Sequence, residues 1–289
     1  MILSSKEPLV SIIIPSYNQG RFIEDTILSI LNQTYKNIEI IVCDGKSTDE
    51  TIKVLKKYDK KIFWLSEKDS GQPNAINKGF SLSSGEVLTF LNSDDVLIDK
   101  RAVQKMVSAF IQNSDFDLIY GDFIEIDHNN KFLRAYRRPN FSFGRLLRIG
   151  YISQPATFFT KELIAKFKLN EDLHYGLDLE LWLKSYKAGF KFKKISLFIA
   201  AERLHDDAKG VGQNANQSNE AKKIRMKFGA SFSRLHHLLR LFDRGILYFY
   251  RIIGSFFIED LKKNETIKLE YKNPILETIS PQSLPEKFI

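Results

Sequence analysis

The sequence predicts an α/β fold on a largely parallel sheet, followed by amphipathic helices at its C-terminal end. Three observations carry that expectation. Short apolar runs alternate with helical patterns through the first hundred residues or so. The runs are apolar on both faces, as strands covered by helices on each side are. From Lys222 onward the pattern changes to apolar residues at a regular four-three spacing, the stripe of an amphipathic helix.

Residues 9–14 are almost wholly apolar and read as the first buried strand, ended by Pro15. Asn18-Gln19-Gly20 supplies a turn, and Ile23, Ile27, Ile30 and Leu31 then share one helical face. Residues 38–42 form the second strand. Ser47 and Glu50 stand at capping-box spacing and predict a helix through Leu55. A third strand (62–65), a polar loop, a helix (74–82) and a fourth strand (87–91) follow. Strand, helix, strand, helix is the order of a parallel sheet with right-handed crossovers. A helix over about 100–112 comes next, with Asp99 as its cap. Two strands, 118–126 and 131–137, are joined by the turn Asp127-His128-Asn129-Asn130, and a further helix opens at Leu177.

Composition narrows the class. The chain has 289 residues, 43% hydrophobic and 27% charged, which disfavours a disordered chain. A net charge of +8 suits anionic partners. The single cysteine, Cys43, excludes a disulfide framework and reads as a buried thiol. No stretch reaches the ~20 apolar residues of a spanning helix. The first residues carry no apolar stretch of signal-peptide length, so a cytoplasmic protein, peripheral at most to the inner membrane face, is expected. A dinucleotide fingerprint is missing after the first strand, where Pro15-Ser16-Tyr17-Asn18-Gln19-Gly20 holds one glycine, and no P-loop is present. No nucleic-acid-binding module is recognisable, so no nucleic-acid partner is expected.

In parallel sheets ligands bind beyond the carboxyl ends of the strands. Acidic residues stand there after three of the four strands: Asp44, then Glu67 and Asp69, then Asp94 and Asp95. Breaking a sugar–diphosphate bond builds negative charge on the leaving group, which a divalent cation neutralises. Magnesium and manganese take oxygen ligands, often one or two carboxylates plus substrate phosphates. Adjacent carboxylates in an extended segment turn to different sides, one toward a metal and one toward a ribose hydroxyl. Asp44 suits a base N–H, a sugar hydroxyl or a turn. An acceptor hydroxyl must lose a proton, and Asp178 and Glu180 are the candidate bases, on different faces of one helix.

These stretches, taken in order, resemble the family 2 glycosyltransferases. The resemblance lies in Val10 to Asn18, Cys43 to Asp49, Asp69 to Gly79 and Leu91 to Asp95, and it extends over about residues 9–210. It implies the GT-A fold, a single nucleotide-binding α/β domain, here 1–221, with 222–289 as a basic helical extension and tail. It implies an inverting transfer from a nucleotide-sugar donor, UDP-linked by default, to a saccharide or lipid-linked hydroxyl, in surface polysaccharide or glycolipid synthesis. Pro15, Tyr17 and Asp44 would border the nucleobase, with Ser16, Asn18, Asp69 and Asn77 also in the nucleotide-sugar site. Asp94 would reach the ribose or diphosphate. Asp95 would hold Mn2+ or Mg2+, with His205 approaching the metal, and Lys209 would close over the donor. Asp178 would be the base, and Gln154 would lie near the acceptor. The chain departs from the family pattern at Asn92, at Leu177 in place of a glutamate, and at Ala208 where serine is common.

The C-terminal seam comprises Phe228, Phe232, Leu235, Leu239, Phe242, Ile246, Phe249, Ile253 and Phe256. Packing on the catalytic domain is its expected use. A homodimer contact or a membrane surface through 222–257 is the alternative, and a non-catalytic membrane or nucleotide-binding module is the competing class of function.

Overall fold

The computed structural model describes residues 7–206, 208–209, 215–231 and 233–263, with side chains of the last helix through residue 254. Phe232, the side chain of Phe256 and the tail 264–289 lie outside the described residues.

Nine strands form one sheet among the described residues, in the order β3-β2-β1-β4-β8-β6-β9-β5, with β7 paired to β6. The first half is the alternating α/β unit the sequence predicts. Strands β1 (Val10–Ser16), β2 (Ile38–Asp44), β3 (Phe63–Ser66) and β4 (Val87–Phe90) are all parallel. Helices α1 (Ile23–Leu31), α2 (Thr51–Lys57) and α3 (Gln72–Leu82) connect them. Side chains alternate across a strand. Ile12 and Ile14 therefore pack with Ile23, Val54 and Met106 on one face, while Ile13 packs with Ile76 and Trp182 on the other. Cys43 is buried as expected, and burial pushes its thiol up to about 12.

The register sets the position of the site. Ser16 pairs with Asp44, and Asp44 with Ser66, so three strands end at one level. The residues after them therefore crowd one edge of the sheet. Short β5 (Val96–Leu97) and α4 (Ala102–Gln112) lead into the second half. There β6 (Leu118–Asp127) and β7 (Phe132–Tyr136) form the predicted hairpin. After α5 (Phe143–Ile149) and a 3-10 turn, Gln154–Ala156, β8 (Thr157–Thr160) enters antiparallel between β4 and β6. Then come α6 (Lys161–Lys166), α7 (Leu177–Lys187) and the long β9 (Phe192–Leu204), which runs parallel to β6.

Three expectations are corrected. The Ser47–Glu50 capping box does not form, because Ser47 Oγ is engaged by Asp44 and by the amide of Asn18, and α2 starts at Thr51. Asp49 Oδ1 accepts from Thr51 N at 3.0 Å instead. The division at 221/222 falls inside α8 (Ala215–Lys227), whose Ile224 is buried in the domain core. Of the C-terminal seam, Phe228 packs against the domain core, whereas Leu235, Leu239, Phe242 and Phe249 do not pack inward. Helix α9 (Arg234–Lys263) docks on α5 and β7 through its other face. Asp243 is 2% exposed and accepts from Arg145 Nε at 3.3 Å and Arg148 Nε at 2.5 Å. Leu247 joins the core beside it. The surface under α9 offers guanidinium groups, which select the acidic face of the helix. Leu235, Phe242 and Phe249 are left 66%, 68% and 59% exposed.

Helix α3 lies close to β1 because Gly79 has no side chain: a Cβ there would stand 2.3 Å from Ile13 Cγ2. Gly79→Ala should destabilise the protein by about 1–3 kcal/mol in urea unfolding, with partial recovery when Ile13→Val is added. An unchanged midpoint would mean that α3 can shift away from the sheet without loss.

Candidate active site

The strand ends open into a cleft of about 700 Å³. Its first wall is built from two turns locked together. Asn18 adopts φ 52°, its amide donates to Ser47 Oγ at 2.7 Å, and its Oδ1 accepts from Thr48 N at 2.9 Å. Asp44 is 1% exposed. Its Oδ2 accepts from Ser47 N at 2.9 Å and from Ser66 Oγ at 2.6 Å, and its Oδ1 accepts from Ser47 Oγ. Asp44 and Asn18 thus hold the cleft's turns and are not among the residues that line it. Gly45, held between them, lies against Asp69 and Tyr17; a Cβ there would be 2.8 Å from Asp69 Oδ2 and 3.3 Å from the Tyr17 ring. Pro15, Ser16, Tyr17 and Asp69 all line the cleft. Tyr17 is 62% exposed and presents an aromatic face to it.

The second wall follows β4. Asp94 and Asp95 line the cleft. Asp95 is 5% exposed and accepts from Arg203 N at 3.1 Å and from Asn92 Nδ2 at 3.0 Å. Burial pushes its carboxyl well above the usual range, and the neighbouring Asp94 and Glu202 push it further. Among the described residues no lysine or arginine side chain pairs with it. Asn92 serves as a bridge. Lys209 Nζ donates to Gln72 Oε1 at 2.8 Å, Gln72 Nε2 donates to Asn92 Oδ1 at 2.7 Å, and Asn92 donates to Asp95. Lys209 therefore reaches across the cleft, and its desolvation lowers its pKa. His205 meets Asp94 Oδ2 at 3.0 Å, with its ring against Phe22, so its direct partner is Asp94 and not Asp95. No group of three or more His, Cys, Asp or Glu side chains converges as a complete metal cage among the described residues.

Asp178 sits in the first turn of α7 and lines an adjoining cavity of about 220 Å³. Desolvation raises its pKa to about 6, against the opposing pull of the Leu179 and Asp178 backbone N–H groups. Glu180 is turned away and paired with Lys227 at 2.8 Å and Lys184 at 3.9 Å, which leaves Asp178 as the candidate base. Glu202, on β9, lines the main cleft and interacts electrostatically with Asp178. It accepts from Ser153 Oγ at 2.6 Å, and burial raises its pKa to about 7.

Two expected site residues are elsewhere. Asn77 is 6% exposed, exchanging hydrogen bonds with the Leu169 backbone at 2.9 and 3.0 Å and donating to Glu171. Its polar atoms satisfy a loop, and it does not line the cleft. Gln154 donates through Nε2 to the Phe90 carbonyl and lines neither cavity described above. Conversely, Glu202, Arg203, Gln72 and His174 line the cleft without having been expected there. Gln72 stood inside the quoted Asp69–Gly79 stretch; Glu202 and Arg203 are set in an ordinary strand pattern with no local signal.

Asp178 and Glu202 both hold protons more tightly folded than unfolded. Stability should therefore fall as pH rises from about 4 to about 7. A base on Asp178 must be ionised, so turnover should rise through about pH 6 over the same interval. Urea midpoints across this range, compared with Asp178→Asn, check the first part; a midpoint that rises with pH in the parent and not in the variant would refute it.

Residues 11–172 match the family described as Glycosyl transferase family 2. The UDP-Glc:alpha-D-GlcNAc-diphosphoundecaprenol beta-1,3-glucosyltransferase WfgD of Escherichia coli is 34% identical over 82% of this chain and 94% of its own length. Longer relatives are matched over only 21% to 38% of their lengths. Of solved structures, S. aureus TarS in complex with UDP-GlcNAc aligns with a TM-score of 0.62 at 18% identity, over 97% of this chain and 82% of that one. A mannosyltransferase from Pyrobaculum calidifontis in complex with GDP-Man and Mn2+ aligns at 0.58 and 16% identity, over 83% and 70%. These two likenesses establish a shared fold.

Proposed function

The chain belongs to glycosyl transferase family 2, and from that premise we propose that it moves a sugar from a UDP-sugar to an acceptor hydroxyl, with inversion, in polysaccharide or glycolipid synthesis. The observation that carries this reading is the division of labour between two adjoining spaces. The cleft holds Tyr17, Asp69, Asp94 and Asp95 at aligned strand ends, and the neighbouring cavity holds a single raised carboxyl, Asp178. The UDP-linked relative and the UDP-GlcNAc complex of TarS support uridine over other bases.

The nucleobase lies against the exposed ring of Tyr17, which Gly45 lets approach the turn after β2. The ribose and diphosphate run along Asp94 toward Lys209, whose ammonium meets the phosphates. Asp95 is a buried carboxylate without a cationic side chain, crowded by two others, and so suits a divalent ion. Asp95, Asp94 and His205 would hold Mn2+ or Mg2+, with substrate phosphates and water filling the remaining positions. The ion would neutralise charge developing on the departing diphosphate. Asp178 takes the acceptor hydroxyl's proton as that oxygen attacks the anomeric carbon from the side opposite the leaving nucleoside diphosphate, which inverts the centre. One carboxylate base with no second carboxylate acting as nucleophile is the arrangement this displacement needs.

Asp178→Asn should lower transfer by about 10²–10⁴-fold with donor binding retained. Asp95→Ala should weaken UDP binding only when manganese is present. Transfer assays and titrations with and without EDTA check both. Unimpaired transfer by Asp178→Asn, or an unchanged metal dependence in Asp95→Ala, refutes the corresponding role.

The exposed face of α9 is assigned to an anionic membrane surface. Its apolar residues Leu235, Leu239, Phe242 and Phe249 are uncovered, and Arg234, Arg244 and Arg251 beside them are exposed. The one acid of the helix through residue 254, Asp243, is buried and paired. Two such faces would repel as copies, whereas anionic lipid is complementary. No described helix is long and apolar enough to cross a membrane. Phosphatidylglycerol vesicles should pellet the protein, and Leu235→Ser/Phe242→Ser/Phe249→Ser should abolish that. Equal pelleting of both overturns the assignment, as does a vesicle-free dimer that the triple substitution dissociates.

A further inference from the structure

The cavity that holds Asp178 contains a cation with no partner. Its walls include Leu146, Ile149, Tyr151, Trp182 and, from α8, Arg225. Arg225 is half-buried, and its Nε is enclosed without any hydrogen-bond partner. No carboxylate forms an ion pair with it among the described residues. Desolvation and then Arg240 and Arg244 of α9 lower its pKa to about 10. The acids nearby are all committed elsewhere. Asp243 is shared by Arg145 and Arg148, Glu180 is paired with Lys184 and Lys227, and Glu220 accepts three backbone N–H groups from residues 174–176. The backbone makes room for the guanidinium at Gly150, where a Cβ would be 3.2 Å from Arg225 Nη2.

A half-buried guanidinium with no ion-pair partner and an enclosed, unbonded Nε, near two more arginines, is costly to maintain. It is also an arrangement that an incoming anion would complete, since guanidinium presents a planar fork to phosphate oxygens. We propose that this cavity is the acceptor subsite, and that it takes acceptors carrying a phosphate or diphosphate, with the phosphate on Arg225 and the acceptor hydroxyl at Asp178. The apolar walls at Leu146, Ile149 and Trp182 accept the less polar part of such a molecule. The assignment rests on Asp178 as the base, and it adds the chemical class of the acceptor to that reading. A lipid headgroup has the same phosphate chemistry, so the test must tell the two sources apart.

The chain has two tryptophans, Trp64 on β3 and Trp182 in the cavity wall. Trp64→Phe therefore leaves Trp182 as the sole tryptophan, which reports alone under excitation selective for tryptophan. Inorganic pyrophosphate and farnesyl diphosphate, titrated in EDTA so that metal-dependent donor binding is silent, should each change its emission saturably. Arg225→Gln should weaken that binding at least tenfold and Arg225→Lys less. Asp95→Asn and saturating UDP should leave it in place. Free Arg225→Gln should unfold at the same temperature as the parent or higher, because it loses an unpaired buried cation; a merely structural arginine would give a lower midpoint. Pelleting on phosphatidylglycerol vesicles should be unaffected by Arg225→Gln.

Equal affinity in Arg225→Gln, displacement by UDP, no response in any folded protein, or a loss confined to vesicle binding overturns the proposal. Because no donor sugar is present, this outcome is independent of whether Asp178→Asn abolishes transfer.

Discussion

The carboxylate of Asp44 is the interaction on which the site depends. It lies at the level where three parallel strands end, and it accepts from Ser47 N, Ser47 Oγ and Ser66 Oγ. The first two bonds fix the turn after β2, and the third ties that turn to β3. Ser47, so held, receives the amide of Asn18 and anchors the turn after β1. A buried carboxylate needs its hydrogen bonds, and neutral hydroxyls and amides supply them without a competing cation. The positions of Tyr17, Gly45 and Asp69 follow from it.

The charges are then sorted between two spaces. Asp94, Asp95 and Glu202 concentrate negative charge in the cleft, while Arg225, Arg240 and Arg244 concentrate positive charge behind the cavity. Some buried charges elsewhere are paired, as with Asp122 and Lys194 at 3.0 Å or Asp99 and Lys105 at 2.5 Å. Like charges left together at these two spaces are destabilising by comparison. Such local conflict is typical of places where a ligand completes the electrostatics.

Periodicity made the first half legible. Ile12 and Ile14 against Ile13, and Ile23 with Ile27, alternate or repeat as their elements require, and strand ends followed by Asp44, Asp69 and Asp94 could be read directly. What failed depended on competition or on distant partners. Ser47 and Glu50 have capping-box spacing, but Asp44, three residues earlier, is the stronger partner for the serine. Asn77 lies inside a stretch that resembles the family, yet its amide is consumed by Leu169, ninety-two positions away. Leu235, Leu239, Phe242 and Phe249, the exposed part of the seam on α9, share one face, but a period says which residues share a face and not what that face meets. Glu202 has no local signal at all; only the pairing of β9 with β5 and β6 brings it beside Asp95.

The ionisation of Asp178 is a balance between burial and the helix start on which it sits. A carboxylate in the first turn of a helix is ordinarily stabilised as an anion by the free N–H groups and the positive end of the helix dipole. Here Glu220, carried on α8, takes the N–H groups of His174, Tyr175 and Gly176 at 2.9, 2.7 and 2.6 Å. Burial of Glu220 works against its charge, but those bonds outweigh it and lower its pKa. Asp178 is left with only the Leu179 and Asp178 backbone N–H groups against the cost of burial, and burial wins, which places the carboxyl at about 6. A base should be ionised at neutral pH yet basic enough to take a proton, and a value between an ordinary aspartate and neutrality meets both needs. Helix α8 thus holds the segment that leads into α7 in place, and burial sets the basicity of the Asp178 it carries.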